Sequence, residues 1–203
     1  MMPYKSSSPR IRLFRNDLLE RLTQVSPAMF ALTWAAVLAL SLYAAWGLLS
    51  LPLWIALFLL GMAIWTLFEY AMHRFFFHMK LNSALGREMI FITHGNHHVA
   101  PGDRLRNIMP PVVTLFLYAV IWGALWLMLG NAGPVFALGF ASGYVIYDGI
   151  HYACHQLPMR HPLLRRLRRH HILHHHAKQE GNFAITAIFW DRVFGTDLRV
   201  KGG

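Results

Sequence analysis

The sequence predicts an all-α integral membrane protein with four transmembrane helices and a cytoplasmic cap of histidine-rich helices. Three observations lead there. Four long apolar stretches lie near residues 28–48, 51–70, 109–129 and 133–150, each close to the roughly 20 residues a bilayer-spanning helix needs. All 19 Lys and Arg residues fall outside them, in the N-terminal tail, in residues 74–108 and from Arg160 onward. Ten of the 13 histidines form four tight groups beside the apolar stretches: His73 and His78; His94, His97 and His98; His151 and His155; His171, His174 and His175.

Composition supports the membrane reading. The chain is 56% hydrophobic and 14% charged, with a mean hydropathy of +0.37, whereas soluble domains carry roughly 25% charged residues. The connections around Ser50-Leu51-Pro52 and Gly130-Asn131-Ala132-Gly133-Pro134 are short and uncharged, so spans one and two, and three and four, form tight hairpins. The three basic segments then share one side, which the positive-inside rule makes cytoplasmic. Both termini and every histidine follow them there. The +10 net charge fits basic side chains reaching anionic lipid phosphates, and no nucleic-acid partner is expected. Cys154 is alone and forms no intramolecular disulfide. The first 27 residues lack the apolar core of a signal peptide.

In chain order, residues 1–9 read as disordered. Ile11, Phe14, Leu18 and Leu22 recur at helical spacing among Arg12, Arg15, Asp17 and Arg21, as in a helix lying on a membrane surface. Residues 1–27 thus form a cytoplasmic tail with an interfacial helix, and residues 28–203 a four-span domain. Ser26-Pro27 is a start signal for the first span, which reads as an anchor. The second span continues past the bilayer and carries Glu69 and His73 with it. On a straight helix His73 and His78 lie about 140° apart, so they either serve different metals or flank a local distortion. His94, His97 and His98 share one helical face, ended by Pro101-Gly102-Asp103. Pro110-Pro111 open the third span. His151 and His155 lie one turn apart at the end of the fourth. In residues 162–176, Leu163, Leu164 and Leu167 share a sector that His171, His174 and His175 continue. Arg165, Arg168, Arg169 and His176 point elsewhere, so this helix rests on the membrane and aims three imidazoles inward.

Imidazole is the commonest protein ligand for transition metals, and ten histidines supply about five nitrogens to each of two ions. A metal-bound histidine usually donates its other N–H to a carboxylate or carbonyl. Glu69, four before His73, and Asp148, three before His151, are placed for that role or for an ion pair with a neighbouring arginine. No hydrolytic triad, phosphate loop, dinucleotide fingerprint or CxxC pair is present, so no catalytic residue is expected beyond the ligands. Zinc is redox-inert and does not activate dioxygen. A site beside the bilayer therefore fits oxidation of a lipid by two irons. The span centres lack ionisable residues, which disfavours a metal transporter or sensor. An acyl chain rising between the second and fourth spans meets the metals near its polar head, and Arg74, Arg104 and Arg106 either orient that head or reach lipid phosphates.

The run Trp65-Thr66-Leu67-Phe68-Glu69-Tyr70-Ala71-Met72-His73-Arg74-Phe75-Phe76-Phe77-His78 resembles the opening signature of the fatty acid hydroxylase and sterol desaturase superfamily. Within it the chain is most similar to the fatty acid (sphingolipid) 2-hydroxylases. The similarity continues through His94-Gly95-Asn96-His97-His98, Asp103-Arg104-Leu105-Arg106, Met109-Pro110-Pro111, His151-Tyr152-Ala153-Cys154-His155 and His171-Ile172-Leu173-His174-His175. Asn182-Phe183-Ala184-Ile185-Thr186 and Trp190-Asp191-Arg192-Val193-Phe194-Gly195-Thr196 complete it. The resemblance implies a dioxygen-dependent dimetal hydroxylase of a membrane lipid, with two irons (zinc being what can survive purification) and the ten histidines as ligands. His161, His170 and His176 fall outside the pattern, and Asn182 joins Glu69 and Asp148 as a candidate support for the ligands. Larger eukaryotic relatives carry a fused cytochrome-b-type haem domain; here a separate electron-transfer protein is expected. A sterol- or carotenoid-directed oxygenase of the same superfamily is the alternative.

Overall fold

The structure is a computed structural model that describes residues 10–198; the tail expected to be disordered, residues 1–9, lies outside the described residues. Among these the chain is helical throughout, with no strand.

The chain enters through a short helix, α1 (Asp17–Leu22), in place of the longer surface helix expected from residue 11. The Glu20 carboxylate accepts from the Leu13 and Phe14 amides at 2.9 and 3.0 Å and draws residues 10–16 into a non-helical path. Arg106 then pairs with Glu20 and donates to Thr23 Oγ1 at 2.8 Å. This segment is therefore clamped to the loop before the third span, and Leu18 stays 67% exposed.

Helix α2 (Pro27–Ala45) begins where expected, with Ser26 Oγ accepting from the Met29 amide at 3.1 Å. Helix α3 (Leu51–Ala71) continues into a π-helical turn, Met72–Phe77. After α4 (Ala84–Ile90) a second π turn, Phe91–Gly95, leads into α5 (Asn96–Val99). Helices α6 (Pro111–Leu129) and α7 (Ala132–Gln156) form the second hairpin, and α8 (Pro162–His176) and α9 (Phe189–Val193) complete the chain.

Among the described residues three helical runs are long and apolar enough to cross a membrane: Pro27–Ala45, Leu51–Phe77 and Pro111–Leu129. They hold much of their apolar surface outward, as with Leu32 at 74% and Leu127 at 90% exposure. A soluble protein rarely displays such an apolar belt. The fourth expected span is different. Helix α7 is rich in Gly, Ala and Tyr and less apolar overall, because it is the axis on which α2, α3 and α6 pack. Its contact with α3 is backbone to backbone: a Cβ added at Gly139 would stand 2.0 Å from Phe58 O, and one at Gly61 2.3 Å from Phe136 O. Small residues permit such close approach between apolar helices. Trp34, Trp65, Phe140 and Tyr144 build the core beside this seam.

Candidate metal centre

The π turn at the end of α3 resolves the His73–His78 geometry. Hydrogen bonding from i to i+5 widens the turn and brings both imidazoles to the same centre, so the local distortion is realised and a division between metals is not. A second π turn, Phe91–Gly95, carries His94, which shares its group with His98 one turn on.

The ten clustered histidines gather into two groups of five. One contains His73, His78, His94, His98 and His174; the other contains His97, His151, His155, His171 and His175, and within each the candidate ligand atoms lie within 4.8 Å of one another. In the first group the Nε2 atoms of His73 and His94 are 3.1 Å apart, those of His94 and His98 2.9 Å, and His174 Nε2 is 3.1 Å from both His78 and His98. In the second, His97–His151 is 2.9 Å, His155–His171 2.7 Å and His171–His175 3.1 Å. Nitrogens bound about 2.0–2.1 Å from one ion, at right angles, stand about 3 Å apart. The donor set therefore fits a metal pair.

The opposite ring nitrogens support that orientation. His73 Nδ1 lies 2.5 Å from Phe183 O, His151 Nδ1 3.0 Å from Asn107 O and His174 Nδ1 2.7 Å from Gly181 O. A carbonyl only accepts, so Nδ1 carries the proton and Nε2 keeps its lone pair for a metal. Burial, and then the neighbouring imidazoles, push His98 down to about 3. Burial likewise pushes His174 down to about 4, and His94, His97 and His171 well below their ordinary value. Burial thus favours the neutral imidazole, the form that binds a metal.

The centres interleave. Residues 94–98 give His94 and His98 to one and His97 to the other, while α8 gives His174 to the first and His171 and His175 to the second. His161 and His176 are exposed and join neither group. Leu167 of α8 is buried under the site, yet Leu163 is 56% exposed.

The candidate supports sit one step further out than the sequence suggested. Glu69 does not meet His73; it accepts from the Ile185 and Thr186 amides at 2.9 and 2.8 Å and from Thr186 Oγ1 at 2.6 Å. It thereby holds the segment whose Phe183 carbonyl meets His73. Asp148 accepts from the Met109 amide at 3.1 Å and Tyr144 OH at 2.7 Å, and stays 4.0 Å from His151 Nδ1. Among the described residues neither carboxylate pairs with an arginine. Asn182, with φ +54°, donates to His170 O at 3.1 Å and accepts from the Leu198 amide at 2.7 Å, tying the C-terminal segment to α8.

Sequence reasoning missed His170 and Asp191. His170 Nε2 is 2.9 Å from Asp191 Oδ2, and the fully buried Asp191 accepts from the Phe183 and Ala184 amides at 2.8 and 2.9 Å. Only the similarity of the 190–196 motif pointed at Asp191; no spacing did.

Beneath the histidines lies a largely apolar cavity of about 440 Å³. Its inner end is walled by His94, His97 and His151, and its sides by α3, α6 and α7, with Trp34 of α2 and Leu13 and Phe14 of the N-terminal segment. The cavity runs between α3 and α6 over α7, because the α3–α7 seam is closed by the glycine contacts. Arg106 is buried in its pairing with Glu20, Arg74 donates to Tyr70 OH at 2.8 Å, and Arg104 is exposed.

Apolar spans, a buried axial helix and two interleaved five-histidine groups above an apolar cavity define a membrane protein whose histidine groups could hold metal ions at the mouth of that cavity. The chain belongs to the fatty acid hydroxylase family, whose model matches residues 58–196. It is 36% identical over 188 residues to a dihydroceramide fatty acyl 2-hydroxylase of Arabidopsis thaliana, covering 91% of this chain and 79% of the relative. It is 35% identical over 213 residues to a fatty acid 2-hydroxylase of Homo sapiens, covering 92% of this chain but 56% of that protein. A solved structure of full-length scs7p, in which only the hydroxylase domain is visible, superposes with a TM-score of 0.85 at 32% identity, over 93% of this chain and 72% of that one.

Proposed function

We propose that the protein is a membrane-bound dimetal oxygenase that hydroxylates carbon two of a long acyl chain, carried as a fatty acid or a sphingolipid. One observation carries this reading: an apolar cavity opens directly onto two groups of five histidines. The names of the relatives, 2-hydroxylases of fatty acyl lipids, point to the same substrate class and carbon.

The ten clustered histidines hold two irons in this reading, and dioxygen is the co-substrate. When bound, such a pair supplies the redox chemistry that zinc cannot. The rest falls to the chain's own residues. Trp65, Tyr144 and Leu117 line the acyl path and exclude water. The Phe183, Asn107 and Gly181 carbonyls fix the proton on Nδ1 of three ligands, while Glu69, Asp148 and Asn182 hold the backbone that presents those ligands. In balance, one C–H bond and one dioxygen take two electrons and two protons to give one C–OH and one water. A separate electron-transfer protein supplies the electrons.

In the membrane, α7 serves as the fourth span inside the ring of α2, α3 and α6, so residues 28–203 act as one four-span unit behind the tail of residues 1–27. The uncharged hairpin turns and the three basic segments support both termini and the metal site being cytoplasmic.

The test is expression in a host that lacks 2-hydroxylated lipids, followed by positional analysis under labelled dioxygen. Label on carbon two is expected. Label on a sterol or carotenoid ring, or an unlabelled hydroxyl, overturns the reading.

A further inference from the structure

Helix α8 has two faces of opposite character. Leu167, His171 and His174 are buried on the inner one, against the metal site. Arg165, Arg166, Arg169 and His176 are exposed on the outer one, with exposed Arg160 and Lys178 just beyond its ends. Among the described residues no carboxylate lies within ion-pair distance of Arg160, Arg165, Arg166, Arg168 or Arg169. Five of the nine acids, Glu20, Glu69, Asp103, Asp148 and Asp191, are buried, and the exposed Glu180 just past the end of α8 pairs with Lys80 instead.

The position of this face decides what it meets. The acyl cavity reaches the histidines through His94, His97 and His151, and no residue of α8 lines it. The arginine face therefore lies on the far side of the metal site from the lipid path. A helix with its side chains is about 10–12 Å across, and the same helix contributes three of the ten clustered histidines. An object seated on the arginines is one helix thickness from both centres.

We propose that the outer face of α8 is the docking site for an acidic one-electron carrier protein. This rests on the oxygenase reading and names the partner of that same site. Each turnover consumes two electrons, so two reduced carriers bind in succession and each leaves oxidised by one electron, the two protons coming from water. Opposite charge across an interface steers encounter and fixes orientation, and a steered rate falls steeply with ionic strength. An anionic lipid surface, the contact expected of this helix from its sequence, is the other candidate occupant, but the apolar cavity between the spans lies on the opposite side of the histidine groups.

The experiment uses the metal-loaded protein in nanodiscs of neutral phosphatidylcholine, with an acidic b-type cytochrome and an acidic plant-type ferredoxin as probes. The triple variant Arg165→Glu, Arg166→Glu, Arg169→Glu is compared with an equal charge change elsewhere, Arg15→Glu, Arg21→Glu, Arg87→Glu. Saturable binding of at least one probe to the wild-type protein is expected, weakening at least tenfold between 50 and 300 mM salt. The α8 variant should lose binding at least tenfold and the control should not. Single turnover driven by dithionite, and metal content, should be the same in all three proteins. Should the triple variant fail to load metal, the three single Arg→Gln variants are read in the same assay, each expected to weaken binding. Neither probe binding the wild type, binding unchanged in the α8 variants, or a loss that appears only on phosphatidylserine vesicles overturns the docking proposal. No dithionite-driven hydroxylation in the wild-type protein overturns the oxygenase reading instead, while leaving the binding result to judge the surface by itself.

Discussion

The imidazoles of His98 and His175 stack with ring centroids 4.3 Å apart and planes inclined by 30°, although their ligand nitrogens belong to different groups of five. They are the closest ring contact between the two centres, and each comes from a segment that serves both. The centres are therefore one mechanical unit, in which losing a ligand from one disturbs the helix that presents ligands to the other.

Metal content should follow this coupling. The purified wild-type protein is expected to hold about two first-row metals per chain, and alanine at any of the ten clustered histidines should remove activity. His98→Ala and His175→Ala should each lower occupancy below one metal per chain, because one segment feeds both sites. His161→Ala and His176→Ala, both at exposed positions, should keep most activity and both metals. Elemental analysis beside turnover checks this, and a metal-free active protein would sink the assignment.

Glu69 gives a sharper test because it acts through the backbone. Both amides it accepts use the same oxygen, Oε1, which Glu69→Gln can retain. Glu69→Leu leaves the buried Ile185 N–H and the part-buried Thr186 N–H without this partner, at about 1–3 kcal/mol for the buried one, and frees the segment that bears the Phe183 carbonyl. We expect Leu to lower metal affinity roughly 10–100-fold, the usual range for a lost support to a ligand, and Gln to stay within a few-fold of wild type. Equal damage from both would mean that the carboxylate charge itself acts on His73.

Much of this site was legible in the residues and some was not, for physical reasons. Histidine spacing marked all ten candidate ligands, since ligand chemistry is written in residue type. Their assignment to centres was hidden, because it depends on the π turn between His73 and His78 that no residue type announces and on α8 and residues 94–98 facing two ways. The groups that meet His73, His151 and His174 are main-chain carbonyls of Phe183, Asn107 and Gly181, which leave no trace in composition. Glu69 and Asp148 looked like the partners only because they stand one helical turn from a histidine. The fourth apolar stretch was read as a span like the others, but its glycines and tyrosines lower its hydropathy because α7 is packed most deeply, a burial that residue type alone does not show.

The α3–α7 seam should tolerate no side chain. Gly139→Ala places a Cβ 2.0 Å from Phe58 O, a backbone atom that cannot swing aside. Overpacking a tight core costs about 1–3 kcal/mol, and this clash should exceed that range. Gly123→Ala, with nothing within 4 Å of the added Cβ, should be neutral or slightly stabilising, since alanine favours helix over glycine by about 1 kcal/mol. Thermal unfolding in a mild detergent distinguishes the two; similar melting temperatures would contradict the packing described here.

Topology follows from the charge pattern and is open to a direct check. Reporter fusions at residues 50 and 132 should read as outside the cytoplasm, and fusions at residue 90 and at the C-terminus as inside. A C-terminal fusion reporting outside would overturn the orientation, and with it the cytoplasmic site.

The cavity makes a prediction about chain length that separates two ways of holding the substrate. On α7 its lining runs from His151 back to Phe140, about 16 Å along the axis at 1.5 Å per residue. Ala141, 2% exposed, lines its deep end beside Phe140. If the polar head is held near the histidines, carbon two meets the metals whatever the tail length, and the deep wall only limits how much tail fits. Ala141→Phe should then shift the hydroxylated products toward shorter acyl chains, and Phe140→Ala toward longer ones, with the hydroxyl still on carbon two in both. If the methyl end is seated against the deep wall instead, the same substitutions slide the chain past the metals and move the hydroxyl along it. Mass spectrometry of products from a mixed-length acyl pool reads length and position together. A moved hydroxyl at unchanged chain length would rule out head-first placement, and with it the geometric argument for carbon two.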